Sequence, residues 1–527
     1  MPKSSFAHPV LSCKNAAAHE QCVLRDEAAE WSAMQSAGRS LARAVVRDFR
    51  ELRAVPDRLR VLALVGKGNN GGDALVACGQ LLADYPRSVV VVLLACASDQ
   101  LKPLAAKAFK EVEGRLRVET VEESESVDAV RERIAGAVGG EGYDLCIDGL
   151  LGMAFEPPLR GPARAILEAV NQYGPIGLRA AVDLPSGRGD ESDELFFKAD
   201  FSYATGIAKR TLFEGVAECG RVRYLDFGFF NDGGSEHSHS NELILTERTL
   251  DGLRRLRSAA VDKRSFGHLM VVGGSAYMPG ALLMAVRAAV SSGVGLITAF
   301  APASVAASLS AQVPEAMWVP WPETANGTLS PRALPLLFDR LDRASAVLVG
   351  PGMGQDRNTE MLAMDIVQRT ELPVLLDGDA LRLRVVEQAS KRKRHAGPVV
   401  LTPHMGEFMR IAKLKEPDWS KETLLGFCRS NRVVTVLKGS VTRISDGEQV
   451  LLNTFGGPVL SRGGSGDLLA GLIGGNLAQD NSSVLTAVAR GVVLHGSAAE
   501  ALARSRGQVT VRTLDVLDYL PEVLRRS

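Results

Sequence analysis

Two glycine-rich stretches, each closed by an aspartate, carry the residues of this chain best suited to chemistry on an anionic ligand. The first is Gly66-Lys67-Gly68-Asn69-Asn70-Gly71-Gly72-Asp73, directly after the apolar run Val61–Val65. The second is Gly463-Gly464-Ser465-Gly466-Asp467, directly before a small-residue helix pattern. Glycine lets backbone approach a phosphate, and a helix N-terminus presents unpaired N–H groups to it. An aspartate at the end of such a loop can exchange a proton with the bound group.

Further acids stand at the ends of other apolar runs. Asp148 follows Leu145–Ile147 and opens Asp148-Gly149-Leu150-Leu151-Gly152-Met153. Asp183 follows Ala180–Val182 and opens Asp183-Leu184-Pro185-Ser186-Gly187. Each acid alone reads as a cap for the next turn. Three acid-bearing loops at one sheet edge, together with Asn69 and Asn70, read as a site. The Gly66-x-Gly68-x-x-Gly71 spacing formally matches a dinucleotide fingerprint, with Asp99 in place to serve as a ribose acid, but Asn69, Asn70 and Asp73 put polar side chains where that fingerprint needs small ones. In the second half, Gly350-Pro351-Gly352, Asp377-Gly378-Asp379, Thr402-Pro403-His404 and Lys438-Gly439-Ser440-Val441-Thr442 each follow an apolar run. Gly463–Asp467 lacks the ending of a Walker loop, so the charge of a transferring phosphoryl group would be met by the helix N-terminus. An N-cap role for Asp467 stays open beside the functional one.

These loops need strands and helices to hold them. Val61–Val65, Val89–Ala95, Leu145–Ile147, Ala180–Val182 and Arg221–Leu225 read as strands in the first half, with helices over Ala74–Asp84 and Pro162–Asn171 and one or two helices over Gln21–Phe49. His268–Val272, Leu296–Ala299, Ala346–Val349, Val374–Leu376, Val399–Leu401 and Val433–Leu437 read as strands in the second. The alternation predicts an α/β chain with parallel sheets covered on both faces, in two unlike domains at 1–235 and 245–527. The polar segment from Phe230 to Asn241 reads as a linker, and its His237 and His239 lack a third ligand for a metal.

The 527 residues carry 61 basic and 61 acidic side chains, so no net field favours nucleic acid or a membrane surface. The run Lys391-Arg392-Lys393-Arg394 has no interleaved aromatics and reads as a solvated loop. Seven scattered cysteines without a CxxC pair, among them Cys78, Cys96 and Cys146 in apolar runs, suit a reducing cytoplasm. No apolar run is long enough to span a bilayer, and Met1–Val10 lacks a signal-peptide core.

Asn69–Asp73, Asp148…Gly152 and Asp183-Leu184-Pro185-Ser186-Gly187, preceded by Ser32-Ala33-Met34-Gln35-Ser36-Ala37-Gly38, resemble the NAD(P)H-hydrate epimerase domain over residues 15 to 230. The resemblance implies a Rossmann-like, doubly wound three-layer fold. It implies substrate contacts from Asn69, Asn70, Gly71, Gly72, Asp73, from Gly152, Met153, Ala154, Phe155, Glu156, Pro157 and Pro158, and from Asp183 as the acid–base group. It places a potassium ion on Asn70, Asp148 and Ser186. The acidic stretch Arg188–Glu194 and the loop Met153–Pro158 depart from the family pattern.

Gly267-His268-Leu269…Gly273-Gly274-Ser275…Pro279-Gly280-Ala281 and the loops of the second half resemble the ribokinase-like ADP/ATP-dependent NAD(P)H-hydrate dehydratases over residues 245 to 525. The resemblance implies hydrate contacts from Ala281, Gly352, His404 and Asp467, with Asp467 activating the hydrate hydroxyl for phosphorylation. Lys438, Gly439, Ser440, Val441, Thr442 and Gly466 would hold ADP or ATP, with Mg2+. Phe455, Gly457 and Arg462 depart from the pattern ahead of the glycine run, and Arg462 offers a phosphate contact. Together the halves imply a bifunctional enzyme that epimerises hydrated NADH and NADPH and dehydrates the S epimer. The partners implied are small molecules, with a homo-oligomer and the choice of ADP or ATP left open. Two alternatives stand beside it: a vitamin-type small-molecule kinase with an accessory module, and an N-terminal binding module without turnover.

Overall fold

The structure is a computed structural model and describes residues 6–231, 239–479 and 483–525. Most of the expected linker, His237 included, lies outside the described residues. The chain divides into two compact units: residues 1–240 with Ala503–Gln508, and residues 241–502 with Val509–Ser527.

The strands of the first unit are β1 (Ala7–Leu11), β2 (Arg60–Val65), β3 (Val89–Leu94), β4 (Arg117–Thr120), β5 (Tyr143–Gly149), β6 (Ile176–Val182), β7 (Phe201–Thr205), β8 (Ala208–Lys209) and β9 (Arg221–Leu225). Seven form a sheet in the order β4-β3-β2-β5-β6-β7-β9, and every pairing in it is parallel. The apolar run of β2 shows why such strands look uniformly greasy. Val61, Ala63 and Val65 enter the core on one face, and Leu62 and Leu64 enter the core on the other. Successive side chains point to opposite faces, so a sheet covered on both sides buries all of them. Each of these Val and Leu side chains contributes about 1.5–3 kcal/mol on burial.

The expected N-terminal helix is two helices, Cys13–Val23 and Glu27–Phe49, the second capped by Asp26. The acidic stretch after Gly187 has structural work. Asp190 accepts the backbone N–H groups of Cys13 and Lys14 at 2.7 and 3.0 Å, at the start of the first helix. Asp193 accepts from Leu159 N at 2.6 Å and Leu195 N at 3.0 Å. Within the same unit Asp48, fully buried, holds Arg223 and Arg504 at 3.1 and 2.7 Å. Burial disfavours its charge, but the two guanidinium groups outweigh this and hold its carboxyl well below the ordinary range.

The second unit contains β10 (Glu242–Leu245), β11 (His268–Val272), β12 (Leu296–Pro302), β13 (Met317–Trp321), β14 (Ala346–Val349), β15 (Val374–Leu376), β16 (Val399–Leu401), β17 (Val433–Leu437), β18 (Thr442–Ser445) and β19 (Val450–Asn453). Their order is β13-β12-β11-β14-β15-β16-β17-β18-β19-β10. The parallel pairing expected from the alternation has one exception, β18, which runs antiparallel to both β17 and β19. Short connections, 438–441 and 446–449, permit only hairpin returns, whereas a parallel return needs a crossover.

In the basic run Lys391, Lys393 and Arg394 are exposed as expected, but Arg392 is buried and donates to the carbonyls of Thr370 and Leu372. Cys78 and Cys146 are buried as expected, while Cys96 is half-buried. Among the described residues no helix is long and apolar enough to cross a membrane.

Candidate active sites

In the first sheet β2, β3 and β4 step one way from the centre and β5, β6, β7 and β9 step the other way, so the topology reverses between β2 and β5. The carboxyl ends of strands at such a reversal leave a crevice. Gly66 leaves β2 there, where a Cβ would lie 1.8 Å from the Leu150 carbonyl oxygen, so only glycine permits this approach. The stretch Asn69–Asp73 is the first turn of a helix, Asn69–Asp84, and not the loop expected. Gly71 and Gly72 are buried against Gly66 and Met34. Asn69 and Asp73 instead face a cavity of about 280 Å³ that is also lined by Glu20, Met34, Met153, Thr205, Phe227 and Phe229. Its size is near the lower end for small-molecule pockets, about 300 Å³. Of the loop 152–158, Met153 lines this cavity; Gly152 lies against Asn70, Phe155 packs on the core, and Ala154, Glu156 and Pro158 are exposed.

Asn70 ties three strand ends together. Its Nδ2 donates to the carbonyls of Leu151 and Val182 at 2.8 and 3.1 Å. Asp148 is fully buried, and its carboxylate accepts from Ser186 N at 2.8 Å, Ser186 Oγ at 2.7 Å and Leu150 N at 3.2 Å. Burial pushes its pKa up to about 6 against these hydrogen bonds.

Asp183 sits at the end of β6 with φ +63°, a left-handed conformation that costs a non-glycine residue about 1–2 kcal/mol. Three donors hold its side chain: Thr205 N at 3.2 Å, Thr205 Oγ1 at 3.0 Å and Lys209 Nζ at 2.5 Å. All three reach the same oxygen, Oδ1. Lys209 is fully buried. Burial opposes its charge, but Asp183 and Glu20 outweigh that and raise its pKa. Around this cation lie two acids that burial shifts towards neutrality. Glu20 is pushed up to about 7, with Lys209 opposing and Asp183 reinforcing. Asp73 is raised well above the usual carboxylate range by burial, Asp183 and Glu20. Lys209, Thr205 and Glu20 escaped the sequence reading. Lys209 lies in a two-residue strand with no apolar run, and Glu20 lies on a helix whose first half looks unremarkably polar. Asp99, the fingerprint's ribose acid, is exposed in a short turn.

In the second sheet β11, β12 and β13 step one way and β14, β15, β16 and β17 the other, so the reversal lies between β11 and β14. Gly274 N donates to the Pro351 carbonyl at 2.7 Å across it, and a Cβ on Gly352 would lie 2.9 Å from Ala281 Cβ. The helix Ser465–Gln479 enters after Gly464, whose φ of +85° requires glycine's freedom. Asp467 lies in its first turn. A Cβ on Gly466 would stand 3.3 Å from Lys438 Nζ, and Lys438 Nζ is 3.5 Å from Asp377 Oδ1. Thr402 Oγ1 donates to the same Asp377 oxygen at 2.6 Å. Burial first, then Asp377, push Asp467 up to about 7, with Lys438 opposing.

His404 caps the helix Met405–Ala412 in a reciprocal box with Glu407, and its ring is largely exposed. It neighbours Lys438, whose N–H donates to the Pro403 carbonyl at 2.9 Å. Gly439 and Ser440 are exposed, Thr442 half-exposed and Val441 buried. Arg462 donates to the carbonyls of Val509 and Val511 at 2.6 and 2.5 Å, which ties down chain instead of offering a phosphate contact. Phe455 accepts Asn453 Nδ2 at 2.8 Å on its carbonyl, and Gly457 is extended. His495 was missed: burial, then the Lys438 charge, lower it to about 4, so the ring near that lysine is neutral.

The chain thus has the form of a two-centre α/β enzyme, with a candidate centre at the carboxyl edge of each sheet. A family profile described as NAD(P)H-hydrate dehydratase matches residues 269–522, and one described as YjeF-related protein N-terminus matches residues 31–211. The bifunctional NAD(P)H-hydrate repair enzyme Nnr of Moorella thermoacetica is 33% identical over 506 residues, covering 93% of this chain and 92% of the relative. That of Gloeobacter violaceus is 35% identical over 491 residues, covering 89% of each. An ADP/ATP-dependent NAD(P)H-hydrate dehydratase from Bacillus subtilis, co-crystallised with ATP and Mg2+, is 30% identical with a TM-score of 0.45 and covers 53% of this chain and 97% of its own. The chain belongs to the bifunctional NAD(P)H-hydrate repair enzyme family.

Proposed function

We propose that the first unit interconverts the R and S epimers of hydrated NADH and NADPH, and that the second dehydrates the S epimer at the expense of ADP or ATP. The observation that carries this reading is the pairing, on one chain of this family, of two strand-edge sites that each hold an acid beside a lysine: Asp183 with Lys209, and Asp377 with Lys438 against the helix turn that carries Asp467.

Water added beside the ring nitrogen leaves a carbon bearing both hydroxyl and nitrogen. In the first unit Asp183 takes the hydroxyl proton as the carbon–nitrogen bond opens to an aldehyde. The nitrogen takes up a proton, and re-addition to the other face reverses both transfers and inverts the carbon. Lys209 and Thr205 fix Oδ1 and leave Oδ2 to exchange the proton. In the second unit Asp467 takes the hydroxyl proton while the oxygen attacks the terminal phosphoryl group, breaking its P–O bond to release AMP from ADP or ADP from ATP. Phosphate then leaves more readily than hydroxide, and loss of a ring proton restores the double bond. Lys438 and the N-terminus of Ser465–Gln479 would meet the phosphoryl charge. Magnesium would supply charge neutralisation there when bound with the nucleotide, and Asp377 and Asp379, which both act on Asp467, would be the carboxylates to share it.

Asn70, Asp148 and Ser186 are our residues for potassium. The donor set fits: a buried carboxylate carrying only hydrogen bonds, beside hydroxyl and carbonyl oxygens, suits a hard cation. Replacing K+ by tetramethylammonium is expected to lower the unfolding midpoint of the first unit. At ten times its Kd a bound ion contributes about 1.4 kcal/mol, a shift of a few degrees. Asp148→Asn should erase this difference. Equal midpoints in the two salts, or a K+ effect that survives in Asp148→Asn, would refute the assignment. The seven free cysteines support a reducing cytoplasm.

The overall reading is tested by offering both hydrate epimers with ADP or ATP and following recovery of the reduced nicotinamide. Complete recovery is expected. A stable phosphorylated product without recovery would instead mark a small-molecule kinase.

A further inference from the structure

The basic run Lys391–Arg394 has no part in either reaction, and its placement is unusual. Arg392, Lys393 and Arg394, together with Arg432, Gly397 and Pro398, line a cavity of about 460 Å³. The cavity lies at the amino ends of β16 and β17, since Pro398 precedes Val399 and Arg432 precedes Val433. Thr402 and Lys438 leave the opposite, carboxyl ends of these strands. A three-residue strand such as β16 separates the edges by about 10 Å.

Arg392 is 6% exposed. Its Nη2 donates to the carbonyls of Thr370 and Leu372, but its buried Nε and Nη1 have no hydrogen-bond partner. Arg432 Nη2 donates to the Arg392 carbonyl at 2.7 Å, which sets a second guanidinium on the same wall. Lys393 and Arg394 are exposed at the rim. The nearby acid Glu371 is engaged by Lys393 at 2.6 Å and His395 at 3.4 Å. Four cations therefore face one carboxylate. Burial, then the Arg432 charge, push Arg392 down to about 10, as expected for a desolvated cation short of counter-charge. Buried N–H groups of a guanidinium ordinarily find acceptors, and guanidinium pairs match the oxygens of a phosphoryl group. The excess of positive charge favours a dianion over a single carboxylate.

We propose that this cavity binds a phosphate dianion, free or as the phosphoryl group of a small phosphomonoester, through Arg392, Arg394, Arg432 and Lys393. The site is distinct from the catalytic edge of the same sheet.

The test uses the full chain at fixed ionic strength. Arginine modification by phenylglyoxal is followed residue by residue with inorganic phosphate, glycerol 3-phosphate or chloride present. Phosphate is expected to protect Arg394 and Arg432 while Arg332, exposed elsewhere, reacts at an unchanged rate. The phosphomonoester protects as well if the cavity accepts a carried phosphoryl group, and protection by inorganic phosphate alone assigns it to the free ion. Both results support the site. Arg392→Met risks the fold, because Arg392 holds two carbonyls. Lys393→Ser spares it and should weaken the phosphate midpoint for Arg432 protection about tenfold, the loss of one charge-assisted contact. Glu371→Gln, which removes the competing carboxylate, should tighten it. A purely structural arginine cluster would not respond in opposite directions to these two variants. Equal protection by chloride, or midpoints unmoved in both variants, overturns the proposal, as does protection by an RNA oligonucleotide with none by either phosphate.

Discussion

Asp467→Asn is expected to stop dehydration while leaving epimerisation intact. The base that takes the hydroxyl proton is lost, and such groups typically supply a 100- to 10,000-fold acceleration, so kcat/KM for dehydration should fall by at least about 100-fold. The wild-type profile carries the same signature. Burial and Asp377 raise Asp467 to about 7. Below that pH the carboxyl is protonated and cannot accept a proton, so kcat/KM should rise about tenfold per unit and level off above about 7. Lys438→Met, which removes the opposing charge, should move that midpoint upward as well as weaken nucleotide binding. The stability sign is fixed by the same shift. An acid raised in the folded state stabilises the fold while protonated, and that contribution disappears as pH rises from about 4 through about 7. At pH 8 the wild type bears the full cost of an ionised Asp467 and the Asn variant does not, so its unfolding midpoint should be no lower. Loss of both activities in the folded variant, or dehydration persisting near the wild-type rate, would contradict the assignment.

The α/β alternation was legible because strands buried on both faces leave uninterrupted apolar runs, as β2, β11 and β14 do. Strands that lack such runs escaped. β4 is an edge strand of largely polar letters, Arg117-Val118-Glu119-Thr120, with one pairing partner. β7 is buried yet contains Ser202 and Thr205, because Ser202 Oγ donates to the Cys219 carbonyl at 2.6 Å. β18 alternates in a hairpin too short to show a period. The loops that follow visible strands announced Asp148, Asp183, Asp377, His404 and Lys438, and the glycines around them marked the close approaches. Groups arriving from elsewhere in the chain were silent. Lys209 comes from a two-residue strand, Glu20 from a helix before the first central strand, and His495 from the interior of a long helix. Their burial is decided by tertiary packing, and no local pattern distinguishes a buried lysine from a surface one. The same limit hid Arg392, whose run of four basic letters looks solvated until the strands around it are assembled.

Asp183→Asn should give the reciprocal defect. Its Oδ1 already takes all three donors, from Thr205 N, Thr205 Oγ1 and Lys209 Nζ. An asparagine carbonyl can accept the same three bonds, so the left-handed turn at φ +63° and the Thr205 contacts have reason to persist. The variant loses the capacity to bind and release a proton. Epimerisation should therefore fall by at least about 100-fold without a comparable loss of binding. The nearby acids do not replace it. Burial disfavours the charged form of Asp73 and brings Glu20 to about 7, so Glu20 is only part-ionised at neutral pH. Lys209 keeps Glu20 as a neighbour, but it loses the carboxylate of its principal partner. A lower unfolding midpoint for the first unit is thus expected, and activity should be measured well below it. With both epimers and excess ADP or ATP, the wild type should consume all the hydrate. Asp183→Asn should consume the S epimer at the wild-type initial rate and then stop, leaving the R epimer. Added epimerase activity from intact enzyme should restart the reaction. Consumption that runs to completion without it would remove Asp183 from the proton transfer and shift the search to Glu20 and Asp73.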